Sequence, residues 1–319
     1  MNRGLLSVVV PSYNEEENII RVAFAIKSVL ERNNIPFELL FVDDGSKDKT
    51  WDNINSVSEA ESFVRGIRFS RNFGKESAIM AGLTAATGDC CVVIDCDMQH
   101  PPEKIIEMYK LWEQGYDIVE GQKNNRGEES KLHTFATKSF YTIISAVTRC
   151  NVANTSDFKL LDKKAVNVLI NMKESNGFFR ALSSWIGFNS VSIKFDVQER
   201  QGGTSKWSTL ALAKYAVNNI TSFSAVPMQI VTVLGVIMLA ISIIFGGITL
   251  IQKVYGQALE GFTTVILIQL FSSSILMISL GVIGYYIARI FEEVKGRPRY
   301  IIADTCGEKV NETTGVSKV

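Results

Sequence analysis

The sequence predicts an α/β fold, a mostly parallel sheet flanked by helices, followed by a two-helix membrane anchor. Three observations predict it. Short β-branched runs alternate with helical periodicities through the first two-thirds of the 319 residues. Polar residues gather just after those runs, where open α/β sheets bind their ligands. Two later stretches, Met228–Ile251 and Phe262–Ile287, hold no charged side chain, and each exceeds the roughly 20 residues that cross a bilayer core.

The elements follow in order. Leu6–Val10 reads as a buried strand, and Glu16–Asn33 as a helix with Ile19, Val22, Ala23, Ile26 and Leu30 on one face. Glu38–Val42 is a second strand, stopped by the turn signal Asp43-Asp44-Gly45-Ser46. Lys49–Ser58 reads as helix, Val64–Phe69 as strand, Lys75–Ala86 as a helix with a small-residue face, and Cys90–Asp95 as strand. Pro101 and Pro102 start the next helix, because a first-turn proline forfeits no hydrogen bond. Ile105, Tyr109 and Trp112 form its stripe, and Ile118–Glu120 is a further strand. A helix over Ser130–Val147 and weaker strands at Lys159–Leu161 and Val191–Phe195 follow. Lys206–Phe223 has the periodicity of a surface-lying or core helix.

The expected divisions are a catalytic domain over 1–205, a juxtamembrane helix over 206–227, two transmembrane helices over 228–288 and a tail over 289–319. Arg289, Lys295, Arg297 and Arg299 give the second span a basic flank, the mark of a cytoplasmic end. With two spans and no signal peptide, both termini are expected in the cytoplasm. Five cysteines, odd in number and without CxxC spacing, argue against a disulfide framework or a zinc site. Lys+Arg and Asp+Glu are both 33, so no basic excess points to nucleic acid.

Chemistry concentrates at four strand ends. Asp95-Cys96-Asp97-Met98-Gln99 places two carboxylates after an apolar strand. A divalent cation held by one or two carboxylates is the usual partner of a nucleotide diphosphate. Tyr13 in Pro11-Ser12-Tyr13-Asn14-Glu15 offers a ring to a base, and Asp43 and Asp44 offer acceptors to a uracil N–H or ribose hydroxyls. Arg71 and Lys75, in Ser70 through Lys75, offer cations to phosphates. His100 and His133 have no second histidine or cysteine pair to form a metal site, and Cys96 reads as a small filler.

These motifs, with Ser156-Asp157-Phe158 and Glu199-Arg200 through Lys206, make the chain resemble a family 2 glycosyltransferase of the GT-A, Rossmann-like fold. The branch it resembles makes polyprenyl-phosphate sugars, as bactoprenol glucosyltransferases do and, more distantly, dolichyl-phosphate mannose synthases. The resemblance implies a donor-nucleotide site at Pro11, Tyr13, Glu15, Asp44, Lys75 and Asp95. It implies Mg²⁺ or Mn²⁺ at Asp97, with Asp95 and Gln99 contributing, and a catalytic role for Asp157 as base or orienter. Arg126, Arg200 and Lys206 match basic positions that meet the acceptor or donor phosphates. Gly121-Gln122-Lys123 departs from a Gly-x-Arg pattern, and lysine lacks the bidentate fork of arginine.

The implied partners are a nucleotide sugar, with UDP-glucose ahead of UDP-N-acetylglucosamine, a polyprenyl phosphate and a bacterial inner membrane. A homo-oligomer is also implied, with a tetramer as one form. Two rivals are a processive polysaccharide synthase, for which two spans make a poor channel, and a non-catalytic nucleotide-sensing scaffold. The full set of acidic and basic positions speaks against the scaffold.

Overall fold

The computed structural model describes residues 4–124, 155–172, 179–196, 226–255 and 261–307. The chain divides into two compact units, 1–212 with 298–319, and 213–297. The first is built on an eight-stranded mixed sheet of order β7-β5-β6-β4-β1-β2-β3-β8.

Its parallel heart is β1 (Leu6–Ser12), β2 (Phe37–Asp43), β3 (Val64–Phe69) and β4 (Cys90–Val93). Every residue of β1 and β4 is buried. That is the mark of central strands covered on both faces. The covering helices are α1 (Ile19–Arg32), α2 (Thr50–Ala60), α3 (Lys75–Ala85) and α4 (Lys104–Glu113). The predicted apolar stripe of α1 is its buried face. Gly82 explains the small-residue face of α3: a Cβ there would lie 2.2 Å from Val9 Cγ1, so only glycine lets the helix seat on β1. On α4 the buried residues are Ile105, Met108 and Tyr109. Trp112 is half-buried because its Nε1–H donates to Asp162 Oδ2 at 2.8 Å.

The other half is not a simple continuation. β5 (Ile118–Lys123) does not join β4; β6 (Thr155–Asp162) inserts between them, antiparallel to both. α5 (Lys163–Ile170) and α6 (Phe179–Trp185), neither marked by the sequence periodicity, lead to β7 (Ser190–Phe195), parallel to β5. The helices expected over Ser130–Val147 and Lys206–Phe223 lie outside the described residues.

The second unit contains α7 (Val226–Val254) and α8 (Phe262–Val294). Both are long and apolar enough to cross a membrane, with mean hydropathy 2.6 over Val231–Ile248 and 1.7 over Phe271–Val294. Large apolar side chains such as Ile243 and Phe271 are exposed along them, a surface unsuited to water. The expected tail holds a strand that the sequence did not mark. After α8 the chain rejoins the first unit, where β8 (Ile302–Cys306) pairs antiparallel with β3 and completes the sheet edge.

Candidate active site

The tips of β1 and β2 are laced by their own loops. Asn14, at φ 54°, donates its backbone N–H to Ser46 Oγ at 2.9 Å, and its Oδ1 accepts from the Lys47 N–H at 3.0 Å. Glu15 donates its N–H to Thr50 Oγ1 at 2.8 Å, while its carboxylate accepts from Asn18 Nδ2 at 2.7 Å. This leaves Tyr13 on the outside of the turn with 42% of its surface exposed, free to meet a planar ligand. Pro11 is buried in the end of β1.

Asp44 has a different job from its neighbours. It is buried, and its carboxylate accepts the backbone N–H of Phe73 at 2.6 Å and of Gly74 at 2.9 Å. Burial raises its pKa, and those two N–H groups oppose the rise. Asp44 therefore shapes the Ser70–Gly74 loop that delivers Lys75 to the first turn of α3. Between these loops and the tip of β3 lies an open cleft of ≈ 690 Å³, lined in part by Tyr13, Ser46, Arg68 and Arg71.

A second constellation sits where β4 ends and the antiparallel β6 begins. The Lys75 ammonium lies 2.6 Å from Asp95 Oδ1 and 2.7 Å from Asp157 Oδ2. Arg180, on α6, grips the same Asp157 carboxylate with both arms, Nε to Oδ1 at 2.6 Å and Nη2 to Oδ2 at 2.8 Å. Lys75, Asp95, Asp157 and Arg180 thus form one alternating chain of charge. Burial pushes the Asp157 pKa up, but the fields of Lys75 and Arg180 and their hydrogen bonds win and hold it well below the carboxylate range. Desolvation likewise works against the Lys75 ammonium, and its two carboxylates more than offset it. Its side chain is still 43% exposed.

Arg180 was not singled out in the sequence. Its position is secured from behind by Lys159 of β6, which is fully buried and binds Glu120 Oε1 at 2.6 Å and Ser183 Oγ at 2.8 Å. An unpaired ammonium there would cost several kcal/mol, so the Lys159–Glu120 pair and the Ser183 contact fix α6 against β6. Glu76 adds a second tie, accepting the Phe179 N–H at 2.9 Å. Burial and the nearby Asp157 charge raise the Glu76 pKa to about 7.

Asp95 also tests the expected metal. Its buried Oδ1 is held by the Lys75 ammonium, 2.6 Å away. Asp97, half-buried two residues on, accepts the Gln99 N–H at 3.1 Å across a turn in which Met98 has φ 57°. No group of three or more His, Cys, Asp or Glu forms a metal cluster among the described residues. The carboxylates of Asp95 and Asp97 are the hard oxygen donors that Mg²⁺ or Mn²⁺ takes one or two at a time, completing its shell with phosphate and water. His100 stacks on Phe158, with ring centroids 5.1 Å apart, as a packed side chain. Cys96 is buried, which raises its thiol pKa and makes it a poor nucleophile.

The structure brings together Lys75, Asp95 and Asp157, puts Asp97 and Gln99 in the turn that follows Asp95, and puts Tyr13 on the cleft. Arg126, Arg200 and Lys206 lie outside the described residues.

Comparison with known proteins bears on this arrangement. The family model described as glycosyl transferase family 2 matches residues 7–182, which include Tyr13, Asp44, Lys75, Asp95, Asp97, Asp157 and Arg180. An uncharacterized glycosyltransferase of Synechocystis sp. is 36% identical over 304 residues, 95% of this chain and 96% of that one. A prophage bactoprenol glucosyl transferase homolog of Escherichia coli is 34% identical over 299 residues, 93% of this chain and 98% of that one. Among solved structures, mannosyl-3-phosphoglycerate synthase from Rubrobacter xylanophilus covers 69% of this chain and 73% of its own, with 17% identity and a TM-score of 0.47. On the family match and these full-length relatives, the chain belongs to glycosyl transferase family 2 and is a glycosyltransferase.

Proposed function

We propose that the protein transfers glucose from UDP-glucose, with inversion, onto undecaprenyl or another polyprenyl phosphate. The product would be a polyprenyl-phosphate monosaccharide for modification of the cell-envelope glycan. The observation that carries the reading is the Lys75–Asp95–Asp157–Arg180 chain at the strand ends, beside a cleft offering Tyr13 to a base. The full-length similarity to a bactoprenol glucosyl transferase homolog supports the choice of sugar and acceptor, and the two apolar helices support a membrane-borne acceptor.

The chemistry follows from the acceptor's charge. A lipid monophosphate, with a second pKa of about 6, is largely ionised near neutral pH and needs little help to become a nucleophile. Its difficulty is repulsion from the donor diphosphate. Lys75, exposed at the first turn of α3, can swing its ammonium from the carboxylates to that diphosphate, and the positive end of the helix adds to the attraction. Arg180 and Lys75 keep Asp157 ionised, so it is badly suited to taking a proton. Its role is to orient these cations around the reacting phosphates. Magnesium or manganese, when held by Asp97 with Asp95 and Gln99 close by, would neutralise the diphosphate. Arg126, Arg200 and Lys206 are proposed to meet the phosphates from their own segments. Direct displacement at the anomeric carbon inverts its configuration.

The apolar helices and the basic flank from Arg289 to Arg299 support a two-span protein of the bacterial inner membrane, with catalytic domain and termini in the cytoplasm. Oligomerisation is part of the proposal, a tetramer being one form. A panel of nucleotide sugars incubated with the purified protein and undecaprenyl phosphate, read by lipid mass spectrometry, tests the donor. Undecaprenyl-phosphate hexose is expected from UDP-glucose. A lipid product only from UDP-N-acetylglucosamine would replace glucose, and none from any donor would overturn the reading.

A further inference from the structure

Beyond the helix pair, the tail strand β8 does more than cover a sheet edge. Ala303 and Asp304 line the same ≈ 690 Å³ cleft as Tyr13, Ser46, Arg68 and Arg71. The strand is fixed there by several independent contacts. It pairs with β3 so that Asp304 stands opposite Arg68. The Ser70 N–H donates to Ile301 O at 3.0 Å, tying the tail to the loop that leads to Lys75. Tyr300 stacks on Phe69, with centroids 5.0 Å apart, and Arg299 donates to Met172 O at 2.6 Å.

The chemistry of the cleft is that of a nucleoside site. Its lining includes an exposed aromatic ring and two arginines, and β8 contributes a small side chain and a carboxylate. Arg68 is committed to the domain, its Nε lying 3.4 Å from Asp43 Oδ2. Asp304 is exposed and spends Oδ1 on the N–H of Thr305 at 2.9 Å; its carboxylate can still accept from hydroxyls or a base N–H.

We propose that β8 is a working wall of the donor site: Ala303 leaves room for the nucleoside and Asp304 accepts hydrogen bonds from it. The inference rests on the nucleotide-sugar reading above. It makes the segment that follows the apolar helix pair part of the donor pocket, outside the region the family model matches. Donor affinity would then depend on the tail being docked on β3.

The test is UDP binding to the full-length protein by calorimetry, with Mn²⁺ present, comparing wild type, Ala303→Trp, Asp304→Ala and Thr305→Trp. Thr305 lies on the same strand but does not line the cleft, so its variant controls for damage to β8. Ala303→Trp is expected to weaken UDP binding by about tenfold or more and Asp304→Ala by a few-fold, with Thr305→Trp near wild type. Unchanged UDP affinity in Ala303→Trp, or equal loss in Thr305→Trp, overturns the role of the wall while leaving the donor reading intact. Wild-type protein that binds no UDP overturns both.

Discussion

Asp157 shares one carboxylate between two cations, and that decides what it can do. Lys75 at 2.7 Å and the two-armed Arg180 hold it ionised against the pull of burial. Asp157→Asn is therefore expected to lose about a hundredfold in kcat, the scale of misplaced reacting groups, while keeping measurable turnover. Complete loss of turnover with donor and lipid binding intact would show that it acts as a base. Arg180 is one of the cations that Asp157 orients, so the ranking of kcat should be wild type, then Arg180→Lys, then Arg180→Ala, because lysine keeps the charge without the fork. A lysine variant no better than alanine in a steady-state assay would contradict this.

Glu76 is the titratable group to watch, at about 7 in the folded protein against 4.5 as its ordinary value. The folded state holds its proton more tightly than the unfolded chain, so stability is lost as pH rises from about 4.5 to about 7 and then levels off. Glu76→Gln should thus melt above wild type at pH 8 and beside it near pH 4.5; equal melting at both would place the Glu76 pKa in the ordinary range. Asp95 and Lys75 were readable because their motifs stand at strand ends, and Asp157 through the resemblance carried by Ser156-Asp157-Phe158. Arg180 was not, since its partner lies 23 positions earlier and nothing within Phe179–Trp185 announces a charge that must be met.

Loops and strands carry the next level. Asp44 and Gly45 together build the Ser70–Gly74 loop, the first through its carboxylate and the second through its shape. Gly45 sits at φ 69°, and a Cβ there would lie 2.5 Å from the Arg71 carbonyl carbon. Gly45→Ala combines backbone strain of about 1–3 kcal/mol with a push on Arg71. It is expected to lower the Tm by several degrees and to raise the donor KM more than it lowers kcat; an unchanged KM with a lowered Tm would detach the loop from donor binding. At this scale the sequence was informative wherever an element is amphipathic or β-branched over its own length. The buried face of α1 and the whole of β3 come directly from such patterns. The short helices α5 and α6 span barely two turns each, too few for a period to declare itself. β8 has five residues, and its strand partner among the described residues precedes it by more than 230 positions. What makes it a strand is the open edge of β3, which no local pattern encodes.

Across the whole molecule, the sheet order shows the same limit. The parallel run β1-β2-β3 follows from alternating strands and helices, since such units place successive strands side by side, but the return of β4 to the other side of β1 does not. The insertion of β6 between β4 and β5 does not follow, because register and neighbour choice are settled by packing at long range. That insertion brings Asp157 to the end of β4, and so to Asp95 and Lys75. The division into two units has a parallel consequence: the first is assembled from both sides of the apolar helix pair. The central claim is that this assembly moves a sugar onto a lipid phosphate. The most direct measurement incubates purified full-length protein with radiolabelled UDP-glucose and Mg²⁺, with and without undecaprenyl phosphate, and counts label in the organic phase. The account predicts lipid-extractable label that appears only with undecaprenyl phosphate and falls sharply in Lys75→Ala. Label confined to water-soluble or polymeric product, or independent of the added lipid, would contradict it.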